Sequence, residues 1–234
     1  MATERANERQ RWLTRQFTTR NGAFPGIVSR VVEKPERVEW LIGGVDSVDP
    51  AIKYGCAKAL KLLAEAEPRL MYRHFDYFVG QLDNPKGPLR WNAAAALAGL
   101  AAVDRANKLD SILDRYLGAI DGPELIDAAT AIQGAARIAR GKPKLAAQCV
   151  IAILRVSGAR YKTDECRNVA AGHAIQALAD CLDLVENKAP VIAFVKMQVE
   201  NMRPGTRKKA EAFLRKHAGT GSKATPTTRR RASP

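Results

Sequence analysis

The chain has 234 residues, and its 38 Lys and Arg outnumber its 24 Asp and Glu to give a formal net charge of +14. The length suits one or two domains. The longest uncharged apolar-rich run, residues 91–103, is far shorter than the ~20 residues that cross a membrane, which argues against a membrane-spanning protein. No stretch alternates polar and apolar residues as a strand does, so we expect an all-α protein.

The N-terminal segment, MATERANERQRW, is charged from its fourth residue and has no apolar signal-peptide core. Its arginines are typical of a mitochondrial presequence, but Glu4 and Glu8 argue against one. We therefore expect a cytoplasmic protein, or a nuclear one in a eukaryote. Trp12, Leu13 and Phe17 share one side of a short amphipathic helix. Residues 1–34 are predicted to form this helix and a segment that caps the first unit of the fold.

Two stretches further on share one pattern: IKYGCAKALKLL at residues 52–63 and LRWNAAAALAGL at residues 89–100. Both read apolar, basic, aromatic, three small residues, any residue, Ala, Leu, two of any kind, and Leu. Looser copies are ELIDAATAIQGA, RNVAAGHAIQAL and TRKKAEAFLRKH. The main apolar position of the five copies is filled by Leu60, Leu97, Ile132, Ile175 and Leu214. A period of roughly 40 residues predicts an array of stacked units.

A second helical segment precedes each copy. These segments are PERVEWLIGGV, PRLMYRHFDYFVGQL, NKLDSILDRYLGAI, KPKLAAQCVIAILRV and APVIAFVKMQVENM. Pro50, Pro123, Pro143 and Pro204 lie at the joints, and proline is favoured at the first position of a helix because its missing N–H costs nothing there. Each unit is therefore predicted to be a pair of helices, with a proline at the start of a helix.

The pattern Asp-Pro-x-apolar-basic-x-x-small-small-x-Ala-Leu-x-x-Leu in the second helix resembles the HEAT repeat. The resemblance covers roughly residues 35–217. The first two copies match well and the last three only partly: in the last copy Thr206 takes the first apolar position and Glu211 a small one. It implies an all-α, right-handed superhelical solenoid of about five HEAT-like helical hairpins. Such solenoids serve many roles, so the resemblance alone implies no particular function.

Each second helix has a small-residue stripe and an opposite face. In the second unit the stripe is Leu89, Ala93, Ala96, Leu97 and Leu100, which we expect to be buried between helices. In HEAT-like solenoids the second helices line the concave side. The opposite, concave face is predicted to show Tyr54, Lys58, Lys61, Glu65, Trp91, Ala95, Ala98, Ile126, Thr130, Gln133, Arg137, Val169, His173, Gln176, Asp180, Lys208 and Arg215.

Tyr54 and Trp91 lie beside lysines on this face. They are candidates for a stacking or cation–π anchor that holds a partner. The alternative is that both rings fill the seam between neighbouring inner helices. Trp91 buried beyond about nine-tenths by its own chain would exclude the anchor.

The four cysteines, Cys56, Cys149, Cys166 and Cys181, are widely spaced and form no CxxC motif. We expect buried thiols in a reducing compartment. Cys166 and His173 share a helix face, but two ligands make a poor metal site without a third. No metal or other cofactor is predicted.

Motifs of known enzymes are scarce. The chain has no GxSxG, no HExxH and no glycine-rich fingerprint, and none of its three histidines precedes a Glu, so the His-Glu iron ligands of the HEAT-repeat deoxyhypusine hydroxylases are missing. The HEAT-like alkylpurine DNA glycosylases use a Trp and an Asp. Trp40 with Asp46, or Trp91 with Asp127, are the pairs that would match by analogy.

Positive charge is concentrated at both ends. Residues 203–217 carry six basic side chains and one acidic, and residues 218–234 carry four basic and none acidic. Such regions attract polyanions, although solvated cations also merely keep a solenoid in solution. We predict a non-catalytic scaffold or adaptor for an acidic protein; the alternatives are a nucleic-acid-binding protein, including a DNA glycosylase-like one, and a plain assembly subunit. The partner-binding candidates are Tyr54, Lys58, Lys61, Trp91, Arg137, His173, Arg203, Arg207, Lys208, Lys209, Arg215 and Lys216.

The last segment, residues 218–234, is rich in Gly, Ser, Thr and Pro and is predicted to be a disordered basic tail. Its RRRAS sequence ends at Ser233 and resembles the site of basophilic protein kinases. A phosphate there would weaken a polyanion contact, and the alternative is a chance match.

Overall fold

The computed structural model describes residues 2–18, 24 and 26–217, and within these ranges the chain is α-helical without a β-strand. The helices are α1 (Ala2–Phe17), α2 (Ile27–Val32), α3 (Arg37–Gly44), α4 (Pro50–Ala66), α5 (Pro68–Met71), α6 (Phe75–Gln81), α7 (Gly87–Gly99), α8 (Lys108–Gly118), α9 (Leu125–Gly141), α10 (Ala146–Leu154), α11 (Asp164–Cys181), α12 (Ala189–Met197) and α13 (Pro204–His217). None of these is long and apolar enough to cross a membrane. The all-α prediction is confirmed, whereas the predicted tail with Ser233 lies outside the described residues.

Two of the prolines begin α-helices as predicted. Pro50 opens α4, where an Asp49 carboxylate oxygen accepts a hydrogen bond from the backbone N–H of Ala51 at 2.8 Å. Pro204 opens α13. Pro143 opens a short 3-10 turn that leads into α10. The missing proline N–H and the Asp cap both relieve the unsatisfied donors at a helix start.

The prediction at Pro123 is wrong, because α9 begins only at Leu125. The preceding Gly122 has a φ of 89°, a conformation that favours glycine. A Cβ on Gly122 would lie 2.5 Å from the carbonyl oxygen of Arg160. The chain therefore makes a tight turn against the segment between α10 and α11 before the helix starts.

The second helices of the predicted pairs pack in chain order: α4 on α7, α7 on α9, α9 on α11, and α11 on α13. The first helices lie against them, with α3 on α4, α6 on α7, α8 on α9, α10 on both α9 and α11, and α12 on α13. Each helix thus buries its apolar side mainly against its neighbours in sequence. This is the packing order expected of repeats that stack.

The alanine-rich helix α7 lies between α4 and α9, and its predicted stripe is buried. Leu89 and Ala93 are at most 5% exposed, and the rest of the stripe is fully enclosed. Small residues allow the close approach: a Cβ on Gly99 would lie 2.9 Å from the backbone oxygen of Ala64 on α4. Larger side chains along this stripe would force the helices apart and weaken their packing.

Side-chain ion pairs join residues that are about one repeat apart. The pairs are Asp83–Arg115, Arg90–Asp127, Asp121–Arg155, Glu165–Arg203 and Arg140–Asp183, separated by 32 to 43 residues. The exposed pairs among them, which are all except the partly buried Arg90–Asp127, contribute at most about 1 kcal/mol each to stability. Each of these ion pairs joins one predicted helix pair to the next.

A buried polar cluster forms around Asp104, in the connection before α8. One carboxylate oxygen accepts from the Tyr72 hydroxyl at 2.6 Å, and the other accepts from the ammonium of buried Lys142 at 2.6 Å. The backbone N–H groups of Lys108 and Leu109 also donate to it, at 2.9 and 3.0 Å. The cluster joins three successive units, because Tyr72 precedes α6 and Lys142 follows α9.

Helix α1 packs on α3 and α4. Leu13 is 2% exposed, and the ring of Trp12 meets that of Trp40 edge-on with their centroids 5.8 Å apart. Phe17 lies over Gly55 of α4, where a Cβ would meet the Phe17 ring at 2.5 Å. The apolar side of α1 therefore covers the first two helices of the array.

Three of the four thiols are buried, namely Cys56, Cys149 and Cys181, and Cys166 is partly exposed. Burial raises the pKa of Cys56 and of Cys149 to about 12, and that of Cys181 to about 11. These three thiols stay protonated near neutral pH and act as small apolar side chains in the core.

Candidate functional site

A groove runs along the second helices and consists of two adjoining pockets of about 790 and 440 Å³. Glu65, Ala98, Gln133 and Arg137 line both pockets. The groove also contains Lys61, Trp91, Ala95, Ile126, Thr130, Val169, His173, Gln176 and Asp180. The structure therefore brings together most of the residues that helical spacing assigns to the concave face.

The floor of the groove is made of small side chains on α7 and α9. Ala95, Ala98 and Gly99 come from α7, and Ala129 and Ala136 come from α9. Ala98 is only 3% exposed, which differs from the expected open position. The reason is that α9 approaches so closely that a Cβ on its Gly134 would lie 3.2 Å from the Ala98 Cβ. The alanines thus create depth as well as close packing.

An ion pair spans the groove above this floor. Arg137 of α9 donates to the carboxylate of Glu65 on α4, 72 residues away in sequence. Lys61, one turn before Glu65, places its ammonium 3.9 Å from the same carboxylate. The two helices are joined across α7 because α7 presents only alanine and glycine here.

A second pair lies at the far end of the larger pocket. Arg140 donates through both terminal nitrogens to the Asp183 carboxylate, at 2.9 and 2.7 Å, and its Nε donates to the Asp180 carbonyl at 2.6 Å. The Gln176 amide donates to the Asp180 carboxylate at 3.0 Å. Arg140 and Asp183 were not among the predicted site residues. The sequence feature that could have pointed to Arg140 is its position one turn past Arg137 on the same helix.

His173 lies in the smaller pocket, where its Nδ1 is 3.1 Å from the side-chain nitrogen of Gln133. Burial lowers the pKa of His173, and the nearby positive charges of Lys209 and Arg203 lower it further. The imidazole is therefore neutral near neutral pH. As a neutral ring it is a hydrogen-bonding group and adds no charge to the groove.

Trp91 is half-buried, so its own chain does not enclose it to the extent that would exclude the anchor prediction. Trp91 lines both the smaller groove pocket and a third pocket of about 260 Å³. Its indole N–H is buried and has no acceptor among the described residues. The anchor role of Trp91 stays a prediction.

Two of the residues that match the DNA glycosylases by analogy, Asp127 and Trp40, contact other side chains of the protein. Asp127 lines the third pocket with Trp91, but its carboxylate accepts two hydrogen bonds from Arg90, at 3.3 and 2.7 Å. Trp40 packs against Trp12. Within the described ranges, no group of three or more His, Cys, Asp or Glu residues is arranged to hold a metal ion.

Two of the predicted partner-binding residues lie at the N-terminal end of the array. The ammonium of Lys58 lies 4.1 Å from the centroid of the Phe24 ring, so the segment before α2 already occupies it. Tyr54 is half-buried against the core. Neither residue lines the two pockets of the groove.

The basic residues of the last unit divide into two sets. Arg203 pairs with Glu165, Arg207 donates to the Asn201 carbonyl at 3.0 Å, and Lys209 donates to the Gly172 carbonyl at 3.1 Å. Lys208, Arg215 and Lys216 are exposed, and their side chains form no hydrogen bond or ion pair with the described residues. These three cations of α13 are therefore available to a partner.

Comparison with protein-family models, with curated proteins and with solved structures finds no match.

Proposed function

We propose that this protein is a non-catalytic HEAT-type scaffold that binds an acidic protein segment in the groove of its second helices. The observation that carries the proposal is the groove itself, whose two adjoining pockets extend over α4, α7, α9 and α11. Its small-residue floor and its polar walls provide room and orienting groups for a ligand chain.

The solenoid part of the proposal rests on two findings together with the sequence pattern. The second helices pack in chain order from α4 to α13, and ion pairs recur at separations of 32 to 43 residues. Both are expected of about five stacked HEAT-like hairpins. A right-handed superhelix would place the second helices on its concave side, where the groove lies.

Binding rather than catalysis is favoured by how the groove holds its charged groups. Glu65 is bonded to Arg137, and Asp183 to Arg140. Carboxylates that are each bonded to an arginine are held in a fixed orientation, which suits recognition of a partner better than proton transfer. An acidic partner is favoured because the net charge is +14 and because Lys208, Arg215 and Lys216 face solvent without an ion pair to any described residue.

The test is a charge reversal on α13. Lys208→Glu with Arg215→Glu should weaken binding of a labelled acidic peptide and leave helix content and melting temperature nearly unchanged, because both side chains are exposed. Binding would be measured by fluorescence anisotropy at several salt concentrations. Lys34→Glu with Lys196→Glu is the matched control, since it changes the net charge equally at exposed sites that are not on α13.

The same titration includes a labelled DNA duplex and a single strand, because exposed cations also attract phosphates. Tighter binding of a nucleic acid than of the peptide would favour the nucleic-acid alternative, and the salt slope would fall by about 0.7 to 0.9 for each phosphate that the variant no longer neutralises. Equal weakening by the α13 variant and by its control would contradict a role for α13 in partner binding.

A further inference from the structure

The ion pair between Glu65 and Arg137 joins residues that are farther apart in sequence than the five ion pairs described for the fold. Its residues are 72 apart, whereas those of the five pairs are 32 to 43 apart. Both side chains line both pockets of the groove. The pair therefore lies between the two pockets, across the path that an extended ligand would follow.

Arg137 keeps donors for a ligand while it is bonded to Glu65. Its side chain is 52% exposed, against 24% for Glu65, and only Nη1 donates to a described residue. A guanidinium has five N–H donors in a rigid fork, and a carboxylate fits that fork with two parallel bonds. The ammonium of Lys61, 3.9 Å from the Glu65 carboxylate, adds a second positive charge at the same place.

We infer that Glu65 is an internal competitor of the partner: it occupies Arg137 in the free protein, and a carboxylate of the bound acidic segment replaces it. This inference rests on the proposed function and assigns Arg137 as the residue that selects a carboxylate. This replacement exchanges one exposed ion pair for another, so its free-energy cost is small. The exchange also opens the two pockets to each other. A competing internal carboxylate also discriminates against ligands that lack an anion at this position.

The test uses fluorescein-labelled poly-L-glutamate and the full-length chain at low salt. Glu65→Gln should tighten binding about two- to fivefold, the range that corresponds to one exposed ion pair. The matched control is Glu67→Gln, which makes the same change of charge one residue past the end of α4, where Glu67 is exposed and has no ion pair with a described residue. It should bind like the wild type.

Arg137→Gln should weaken binding below the wild-type level, and adding Glu65→Gln to it should restore little, because the competitor then has no guanidinium to release. Helix content is checked by circular dichroism for each variant. A gain in Glu65→Gln that equals the gain in Glu67→Gln would overturn the inference and leave the proposed function intact. No binding of polyglutamate by any variant would overturn both.

Discussion

Asp104→Ala is expected to lower the free energy of unfolding by about 3 to 5 kcal/mol, the usual cost of removing one partner of a buried ion pair. The substitution leaves the Lys142 ammonium buried and less well paired, and it removes the acceptor of the Tyr72 hydroxyl and of two backbone N–H groups. Urea unfolding followed by circular dichroism measures the loss.

Asp114→Ala is the control for this experiment. Asp114 lies on α8, is exposed, and accepts one hydrogen bond from Gln148 at 2.7 Å. Its removal should cost about 0.5 kcal/mol or less. Similar losses in both variants would contradict the structural role of the Asp104 cluster.

The contribution of Asp104 should also depend on pH. Burial alone would raise the pKa of this carboxyl, but the hydrogen bonds from Lys142, Tyr72 and the backbone hold it below the ordinary value of 3.8. A carboxyl whose pKa is lower in the folded state stabilises the fold above its unfolded pKa and loses that contribution as the pH falls. The difference in stability between wild type and Asp104→Ala should therefore shrink as the pH is lowered below 3.8.

Gly134→Ala should destabilise the fold by about 1 to 3 kcal/mol through overpacking, with about 1 kcal/mol more if a hydrogen bond is lost. A Cβ on Gly134 would lie 1.8 Å from the hydroxyl of buried Tyr116, which donates to the Ala94 carbonyl at 3.1 Å. The Tyr116 side chain would have to move and give up that bond. Chemical denaturation measures the effect.

Gly118→Ala is the matched control, because a Cβ there meets nothing within 4 Å. It should raise stability by about 0.4 to 1 kcal/mol, since alanine reduces the freedom of the unfolded chain. Tyr116→Phe should recover part of the loss in Gly134→Ala because it removes the clashing oxygen. An unchanged stability of Gly134→Ala would contradict the close approach of α7, α8 and α9.

The sequence predicts the helices and their buried stripes well, because both follow from a helical period. The apolar stripe of α7 is buried as its spacing predicts, and α4 and α13 begin at Pro50 and Pro204. The predicted start of α9, at Pro123, is wrong because the true start depends on contacts of Gly122 with a segment almost 40 residues later. Helical spacing contains no information about such contacts.

The groove is predicted in outline for the same reason, but its ion pairs are not. Spacing assigns Glu65 and Arg137 to one face, yet their contact depends on how far α4 and α9 approach each other over α7. Spacing assigns Lys58 to that face too, but in the structure its ammonium lies over the Phe24 ring. Which cations stay available is decided by tertiary contacts, which residue spacing does not specify.

The most direct test of the proposed groove is a titration of labelled poly-L-glutamate into Ala95→Glu. Ala95 lines the smaller pocket, so a carboxylate there would repel an acidic ligand. Ala193→Glu, at an exposed position on α12, is the same substitution outside the groove. We expect Ala95→Glu to raise the Kd about tenfold or more, and Ala193→Glu to leave it close to the wild-type value. Equal Kd values for the two variants would contradict binding in the groove.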